Sequence, residues 1–228
     1  MRAKPIVVLG AGGLARETMW LLESVNAACG AYRPLGYLDD DASKHGQVLC
    51  DYPVLGGLDW IESCGEDSLC VVLGVGEPAA KYSLVRRVES RGVDFPRLIH
   101  PNVEMSKQLE LADGVAIAAG NILTVRIAIG AYTWLNLDCT VGHDAQVGSY
   151  AQLNPSVNIS GNVTVGDGVE LGTGAIVIPG VTVGDGAVVG AAACVVRDLP
   201  ANVTAVGVPA RPIKELAPWT TRQPPTPQ

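Results

Sequence analysis

Every sixth residue from Met105 to Val195 is aliphatic, sixteen positions without a break in phase. The column opens Met105, Leu111, Ile117, Leu123, Ile129 and closes Val177, Val183, Val189, Val195. A second column, four residues later, is mostly small or β-branched: Thr133, Cys139, Ala145, Ala151, Val157, Val163, Val169, Ala175. Glycine often follows the aliphatic residue, as at Gly130, Gly142, Gly148, Gly166, Gly172, Gly184 and Gly190. A period of six suits neither an amphipathic helix nor a lone strand. It predicts a parallel β-helix in which short strands stack coil on coil. The chain holds one Phe in 228 residues, which suits tight coil stacking better than an aromatic core.

Residues 1–100 follow another pattern and predict a small α/β domain with a short parallel sheet. Ile6–Leu9, Pro34–Leu38, Cys70–Leu73 and Phe95–Ile99 read as strands. Leu14–Val25 and Lys81–Arg91 read as helices, the first offering Leu14, Met19, Leu21 and Leu22 to the core. The solenoid with its cap is expected over 101–214, since Pro200 to Lys214 leaves the six-residue phase. A Pro-rich tail over 215–228 is expected to be disordered at its end, with Trp219 the one tail residue able to dock.

The net charge of −7 argues against nucleic-acid or anionic-membrane partners. Anionic small ligands stay open, because backbone amides and one or two Arg bind phosphate locally. Six scattered Cys lack metal-ligand spacing and predict reduced thiols and no metal. The run Ile6–Leu9 is too short for a signal-peptide core, and no stretch is long enough to span a bilayer. A cytoplasmic location is the expectation.

Gly10-Ala11-Gly12-Gly13-Leu14-Ala15 follows a strand and opens a helix. Glycine permits the tight turn and a close ligand, and the helix N-terminus offers free amides to a phosphate. The acidic partner of a dinucleotide ribose belongs about 20 residues on. The nearest candidate, Asp39, comes 29 residues after Gly10, which weakens a dinucleotide reading and leaves room for a mononucleotide. Asp39 and Asp40 end the second strand, where such sheets hold a base or ribose. A solvated loop is the plain alternative.

Of three His, His45 falls in a polar loop and His100 at the domain junction before Pro101. His143 is the only His of the solenoid and stands beside Asp144, two residues past Val141. A His paired with a carboxylate suits a general base near neutral pH. Cys139 falls in the inward column and reads as packing.

Further short motifs accompany these: Tyr37-Leu38-Asp39-Asp40, Gly74-Val75-Gly76, Leu98-Ile99-His100-Pro101, Val141-Gly142-His143-Asp144, Gly161-Asn162-Val163 and Gly207-Val208-Pro209-Ala210-Arg211. In this order, from about residue 5 to 214, the chain resembles the NeuD/PglD-type sugar O-/N-acetyltransferases, whose solenoid is a left-handed β-helix. The resemblance implies a homotrimer with acetyl-CoA between neighbouring solenoids. It implies a nucleotide-linked amino sugar, UDP- or GDP-linked, lined by Gly12, Gly13, Leu14, Asp39, Asp40 and Gly76. His143 would be the base, strengthened by Asp144, with Asn136 at the sugar. Gln152, Gly172, Thr173, Gly190, Ala191 and Arg211 would serve the CoA. Relatives often carry a second His where this chain has Gln152, which hydrogen-bonds but does not titrate.

The expected reaction is direct acetyl transfer to the 4-amino group of a 4-amino-4,6-dideoxy sugar, with no acyl-enzyme. O-acetylation of a sugar such as a sialic acid is the alternative, and a non-catalytic trimeric nucleotide-sugar binder the alternative of another class. A zinc hydrolase on this solenoid needs three His ligands, and the repeat holds one. A nicotinamide oxidoreductase leaves the solenoid without a task.

Overall fold

The computed structural model describes residues 3–65 and 68–222. The tail expectation for 223–228 lies outside the described residues. The N-terminal domain runs β1 (Lys4–Leu9), α1 (Gly13–Cys29), β2 (Tyr32–Leu38), β3 (Val48–Leu49), β4 (Tyr52–Gly56), α2 (Trp60–Ser63), β5 (Cys70–Leu73) and α3 (Pro78–Val88). Its sheet order is β3-β4-β2-β1-β5. The central strand β1 is apolar on both faces, and Ile6, Val7, Val8 and Leu9 are all fully buried. On α1, Ala15, Thr18, Met19, Leu21 and Leu22 turn inward.

Three expectations need correcting. The sheet is not wholly parallel, because β3 pairs antiparallel with β4. The hairpin turns on Cys50 and Asp51, both left-handed with φ 46° and 68°, as a two-residue turn of the primed type requires. The strand expected over Phe95–Ile99 is only Leu98–Ile99, and it pairs with Ala116–Ile117 of the solenoid, not with the N-terminal sheet. Pro96 has no amide to give a ladder there. The second long helix starts earlier, at Pro78, where the Glu77 side chain accepts from Ala80 N at 2.6 Å. It passes into a 3₁₀ turn over Glu89–Arg91.

The solenoid is a left-handed parallel β-helix of three sheets. The chain visits them in strict rotation, and partners lie 18 residues apart, as in Leu123↔Val141↔Ile159. The first face runs from Glu104–Met105 to Cys194–Val195, the second from Leu109–Leu111 to Thr182–Val183. The third begins with Leu98–Ile99 and ends in a hairpin of Val203–Val206 and Arg211–Glu215. That hairpin ends the third sheet.

From Ile117 to Val195 the aliphatic column is buried, and the small column from Thr133 to Ala193 fills the corners with it. Met105 is 44% exposed, because it lies in the first coil, at the open end of the stack. A Cβ at Gly130 would lie 2.5 Å from the backbone of Gly148, one coil on, which is why glycine recurs after the column.

The N-terminal domain sits on the third face. Ala116 and Trp134 of that face belong to the same apolar cluster as Ile6, Met19 and Leu22. Tyr132 and Tyr150, stacked at the corner between the second and third faces, meet Phe95 and Tyr82. Trp219 docks there too, its ring over Gly168 and Gly186 and against Tyr82 and Tyr150.

Lys81 of α3 is buried in this contact and donates to the Ala151 carbonyl at 3.0 Å. Burial pulls its pKa down from 10.5 to about 7, against the opposing pull of Glu170 and Glu77. Between those two values the unfolded chain holds a proton that the folded one lacks. Stability therefore rises with pH across that window. Lys81→Met should remove this component, and the Ala151 carbonyl keeps its bond from Trp134 N at 3.0 Å. Thermal melts at pH 7 and about 9.5 should show wild type gaining on Lys81→Met as pH rises. Parallel pH profiles would refute it.

No helix among the described residues is long and apolar enough to cross a membrane.

Candidate active site

His143 and Asp144 lie at the corner between the first and second faces, just past Val141. The corner turns on Asp144, whose φ of 58° is left-handed, a conformation Asp tolerates better than most residues. His143 Nδ1 is 2.8 Å from Asp144 Oδ2. With the proton on Nδ1 held by that carboxylate, Nε2 would carry the lone pair that a general base needs. The other carboxylate oxygen takes Arg126 Nε at 3.1 Å, so the carboxylate is fixed from both sides. The His143 side chain is 58% exposed, open to a ligand or a second molecule.

Directly along the stack, one coil on, lies Gly161. A Cβ there would come within 2.5 Å of His143 Nε2 and 2.6 Å of Cε1. The imidazole rests on bare backbone. Nothing in the local motif announces this, but counting one 18-residue coil from His143 lands on Gly161. Gly161→Ala should fold and yet displace the ring. A shift of about 1 Å in a catalytic group can cost on the order of 10²-fold. Turnover should fall at least about tenfold with an unchanged circular dichroism spectrum. Wild-type turnover in Gly161→Ala would show that the ring does not need this seat.

At the other pole is the glycine turn. Gly10 has φ 105°, and its backbone approaches Gly74 and Val75. Ala15 takes the third small position of the pattern because α1 crosses tightly over β5, and a Cβ on Gly74 would meet Ala15 Cα at 2.7 Å. Gly12 and Gly13 are exposed, with open space where a Cβ would stand. Helix α1 has no side-chain cap and no acidic residue in its first turn, so its N-terminal amides are free for an anion. The N-terminus of α3 is closed by Glu77 and offers no such site.

Asp39 braces this turn. Its Oδ2 accepts from Ala11 N at 2.8 Å and from Lys44 Nζ at 3.0 Å, and Oδ1 accepts from Asp41 N at 2.9 Å. Asp40 is paired with Arg87 at 2.6 Å, and that guanidinium holds its carboxyl below the usual range. In the same loop His45 Nε2 lies 2.8 Å from the Asp39 carbonyl. A Cβ on Gly76 would meet Leu14 at 3.4 Å and Gln152 of the solenoid at 3.6 Å, and Gln152 Oε1 is buried without a partner.

The remaining candidates collect on the edge between the third and first faces. Asn136 is nearly buried there and its Oδ1 accepts from Leu137 N at 2.7 Å. Gly172 is stacked on Gly190, where a Cβ would meet Ala191 N at 2.6 Å, and Thr173 and Ala191 are exposed beside them. Arg211 stands in the capping hairpin, exposed, with Nη1 on the Ala210 carbonyl at 2.9 Å. Cys139 is inward as expected, and burial pushes its thiol up to about 11. Among the described residues no group of three or more His, Cys, Asp or Glu is placed to hold a metal ion.

The structure therefore groups the turn residues with Gly76 and Gln152, and places Asn136, Gly172 and Gly190 along one edge. It does not bring His143 to either group within one chain. The edge that bears His143 is opposite the face that carries the N-terminal domain.

A model of the PglD N-terminal domain matches residues 5–88. Perosamine N-acetyltransferase from Caulobacter crescentus, seen in complex with CoA and GDP-perosamine, is 32% identical. That likeness covers 92% of this chain and 97% of the other, with a TM-score of 0.83. WeeI from Acinetobacter baumannii is 30% identical over 92% of this chain and 100% of its own, TM-score 0.84. The acetyltransferase domain of PglB from Neisseria gonorrhoeae, in complex with acetyl coenzyme A, is 26% identical over 93% and 100%, TM-score 0.82. No curated protein sequence matches the chain.

Proposed function

The chain belongs to the NeuD/PglD-type hexapeptide-repeat acetyltransferases, and from that premise we propose that it N-acetylates the 4-amino group of a nucleotide-linked 4-amino-4,6-dideoxy sugar. It is a sugar acetyltransferase by membership. The finer reading rests on one observation above the others: an exposed His143–Asp144 pair, 2.8 Å apart, seated on Gly161.

In this reading the free amides at Gly12, Gly13 and Leu14 receive the diphosphate, with Asp39 bracing the turn from below. Asp40 and Gly76 line the same pocket. Acetyl-CoA supplies the thioester, and Gly172, Thr173, Gly190, Ala191 and Arg211 would hold it along the solenoid. Gln152 fits a contact role only through its unpartnered Oε1 at the foot of the Gly76 loop.

The substrate amine must be neutral to attack. His143 Nε2 takes its proton as the nitrogen bonds to the thioester carbonyl carbon. The tetrahedral adduct then expels the thiolate of CoA, and the proton on His143 returns to that sulfur. General-base assistance of this kind contributes about 10²–10⁴-fold. No nucleophile of the protein is required, and Cys139 is buried away from the surface.

Because His143 lies opposite the domain carrying the turn, the reacting pair comes from two copies of the chain. A homotrimer, with each site built between neighbours, satisfies this. The test is release of free CoA thiol with UDP- and GDP-linked 4-amino-6-deoxy sugars, with sialic acid as contrast. Turnover confined to sialic acid would replace N- by O-acetylation, and binding without turnover of any acceptor would leave a non-catalytic binder. A cytoplasmic location goes with this reading, since both substrates are cytoplasmic metabolites in kind.

A further inference from the structure

A chain with one Phe, four Trp and six Tyr gathers five of these rings at the corner between the second and third faces. Successive coils turn there on Tyr132, Tyr150, Gly168, Gly186 and Asn202, all left-handed with φ between 55° and 62°. A bulky residue is uncommon in that conformation, so the two Tyr carry a local strain. Phe95 meets Tyr132 at 5.1 Å, and Tyr132 stacks on Tyr150 at 5.0 Å. The next two coils carry glycine at the corner and leave a bare step beside Tyr150.

Trp219 fills that step. A Cβ on Gly168 would run into its indole, and one on Gly186 would lie 2.7 Å from its Cβ. The tail reaches the step by running back from the hairpin across two coils. Leu216 N donates to the Asn202 carbonyl at 2.8 Å, and Asn202 Oδ1 accepts from Trp219 N at 3.1 Å and Arg222 Nη2 at 3.0 Å. Arg222 Nη2 also donates to the Gly186 carbonyl at 2.6 Å. The Trp219 ring then meets Tyr150 of the solenoid at 5.6 Å and Tyr82 of α3 at 5.5 Å. Tyr82 and Tyr150 are themselves 5.5 Å apart, so the three rings close a triangle. Arg222 adds a charge attracted by Glu170 and by Glu77, the N-cap of α3.

The N-terminal domain is therefore pinned to the third face at two places. At α1 the pin is apolar packing on Ala116 and Trp134. At α3 it is Lys81 on the Ala151 carbonyl together with the ring triangle. Without Trp219 the second pin loses one of the two rings that hold Tyr82, and the domain gains freedom to pivot on the first.

We propose that the docked tail is a strap that sets the pose of the N-terminal domain on the solenoid, with Trp219 its positioning residue. The pose brings the amine of a sugar held at the glycine turn to the acetyl donor and to His143 of the next copy. This rests on the reading above that the turn holds the nucleotide. The strap touches neither substrate, so it acts on transfer and not on either half of the site.

The test uses the whole protein and three variants, Trp219→Ala, Trp219→Phe and Gly168→Asn. In Gly168→Asn the corner survives, since Asn takes the same conformation at Asn162 and Asn202, while the added side chain expels the indole. Trp219→Ala and Gly168→Asn should lower kcat/KM for the nucleotide sugar at least about tenfold, because small misplacements of a reacting group are costly. Calorimetric affinities for UDP or GDP and for CoA should stay within about twofold. Trp219→Phe keeps a ring in the step and should retain the rate within about threefold. Amides of α3 should exchange with solvent at least about tenfold faster in the two disruptive variants, with the solenoid strands unchanged. Wild-type transfer in both disruptive variants, or a loss in Trp219→Phe equal to that in Trp219→Ala, overturns the strap. A parallel loss of diphosphate or CoA affinity also overturns it, by making the tail part of a substrate site. Failure of wild type to bind either free diphosphate overturns the nucleotide reading instead. Unchanged exchange of α3 in Trp219→Ala overturns the strap whatever the turn binds.

Discussion

His143→Ala should retain the fold and lose at least about 10²-fold in acetyl transfer. The side chain is 58% exposed, so its removal leaves no hole in the core. The structural elements of the corner, Val141 inside and the left-handed Asp144, remain in place. What disappears is the one imidazole of the solenoid, the group proposed to take the proton of the attacking amine. The loss should appear in kcat, because the proton moves only in the transition state. Asp144→Asn should also be impaired, since an amide does not select the Nδ1–H tautomer as a carboxylate does. Near-wild-type turnover in His143→Ala would remove the general base from the account.

The second large effect is restoration of activity between two inactive proteins. Gly13→Asp should bind substrate poorly, because it places a carboxylate at the anion-receiving N-terminus of α1. It should still fold, since nothing lies within 4 Å of a Cβ at Gly13. His143→Ala keeps an intact turn but has no base. Alone, each is inactive. Co-expressed, they should regain activity if the turn of one copy faces the His143 of the next. With random mixing, about one quarter of the sites combine an intact turn with an intact base. Restoration to about that level is expected. No restoration would mean that turn and base of one chain serve the same site, contrary to their placement on opposite sides of the prism.

Much of this arrangement is legible in the residues themselves. The six-residue phase implies the stacked coils, and the inward columns are buried as that phase requires. Cys70–Leu73 is a strand with the expected bounds, because a short apolar run between a turn and Gly74 has little freedom. The hairpin at Cys50–Asp51 escapes sequence reading because it lacks the Asn-Gly or Asp-Gly signal of its turn type. The late strand at Leu98–Ile99 is visible as a strand, but its partner is not, since either sheet could have taken it.

The site divides in the same way. His143 beside Asp144 is a local pair and can be read directly. The seat at Gly161 becomes visible only once the coil length is known. The brace from Asp39 to Ala11 depends on how a loop folds back over 28 residues. The Arg126–Asp144 contact joins corners one coil apart. Lys81 on the Ala151 carbonyl joins two domains, and no spacing in the chain predicts it.

The most direct test of the account follows free CoA thiol and the acetylated product together. Wild type and His143→Ala are each supplied with acetyl-CoA and a UDP- or GDP-linked 4-amino-4,6-dideoxy sugar. The account predicts stoichiometric thiol and 4-N-acetyl product from wild type, with at least about 10²-fold less of both from His143→Ala. Equal rates from the two proteins, or thiol release without an N-acetylated sugar, would contradict it.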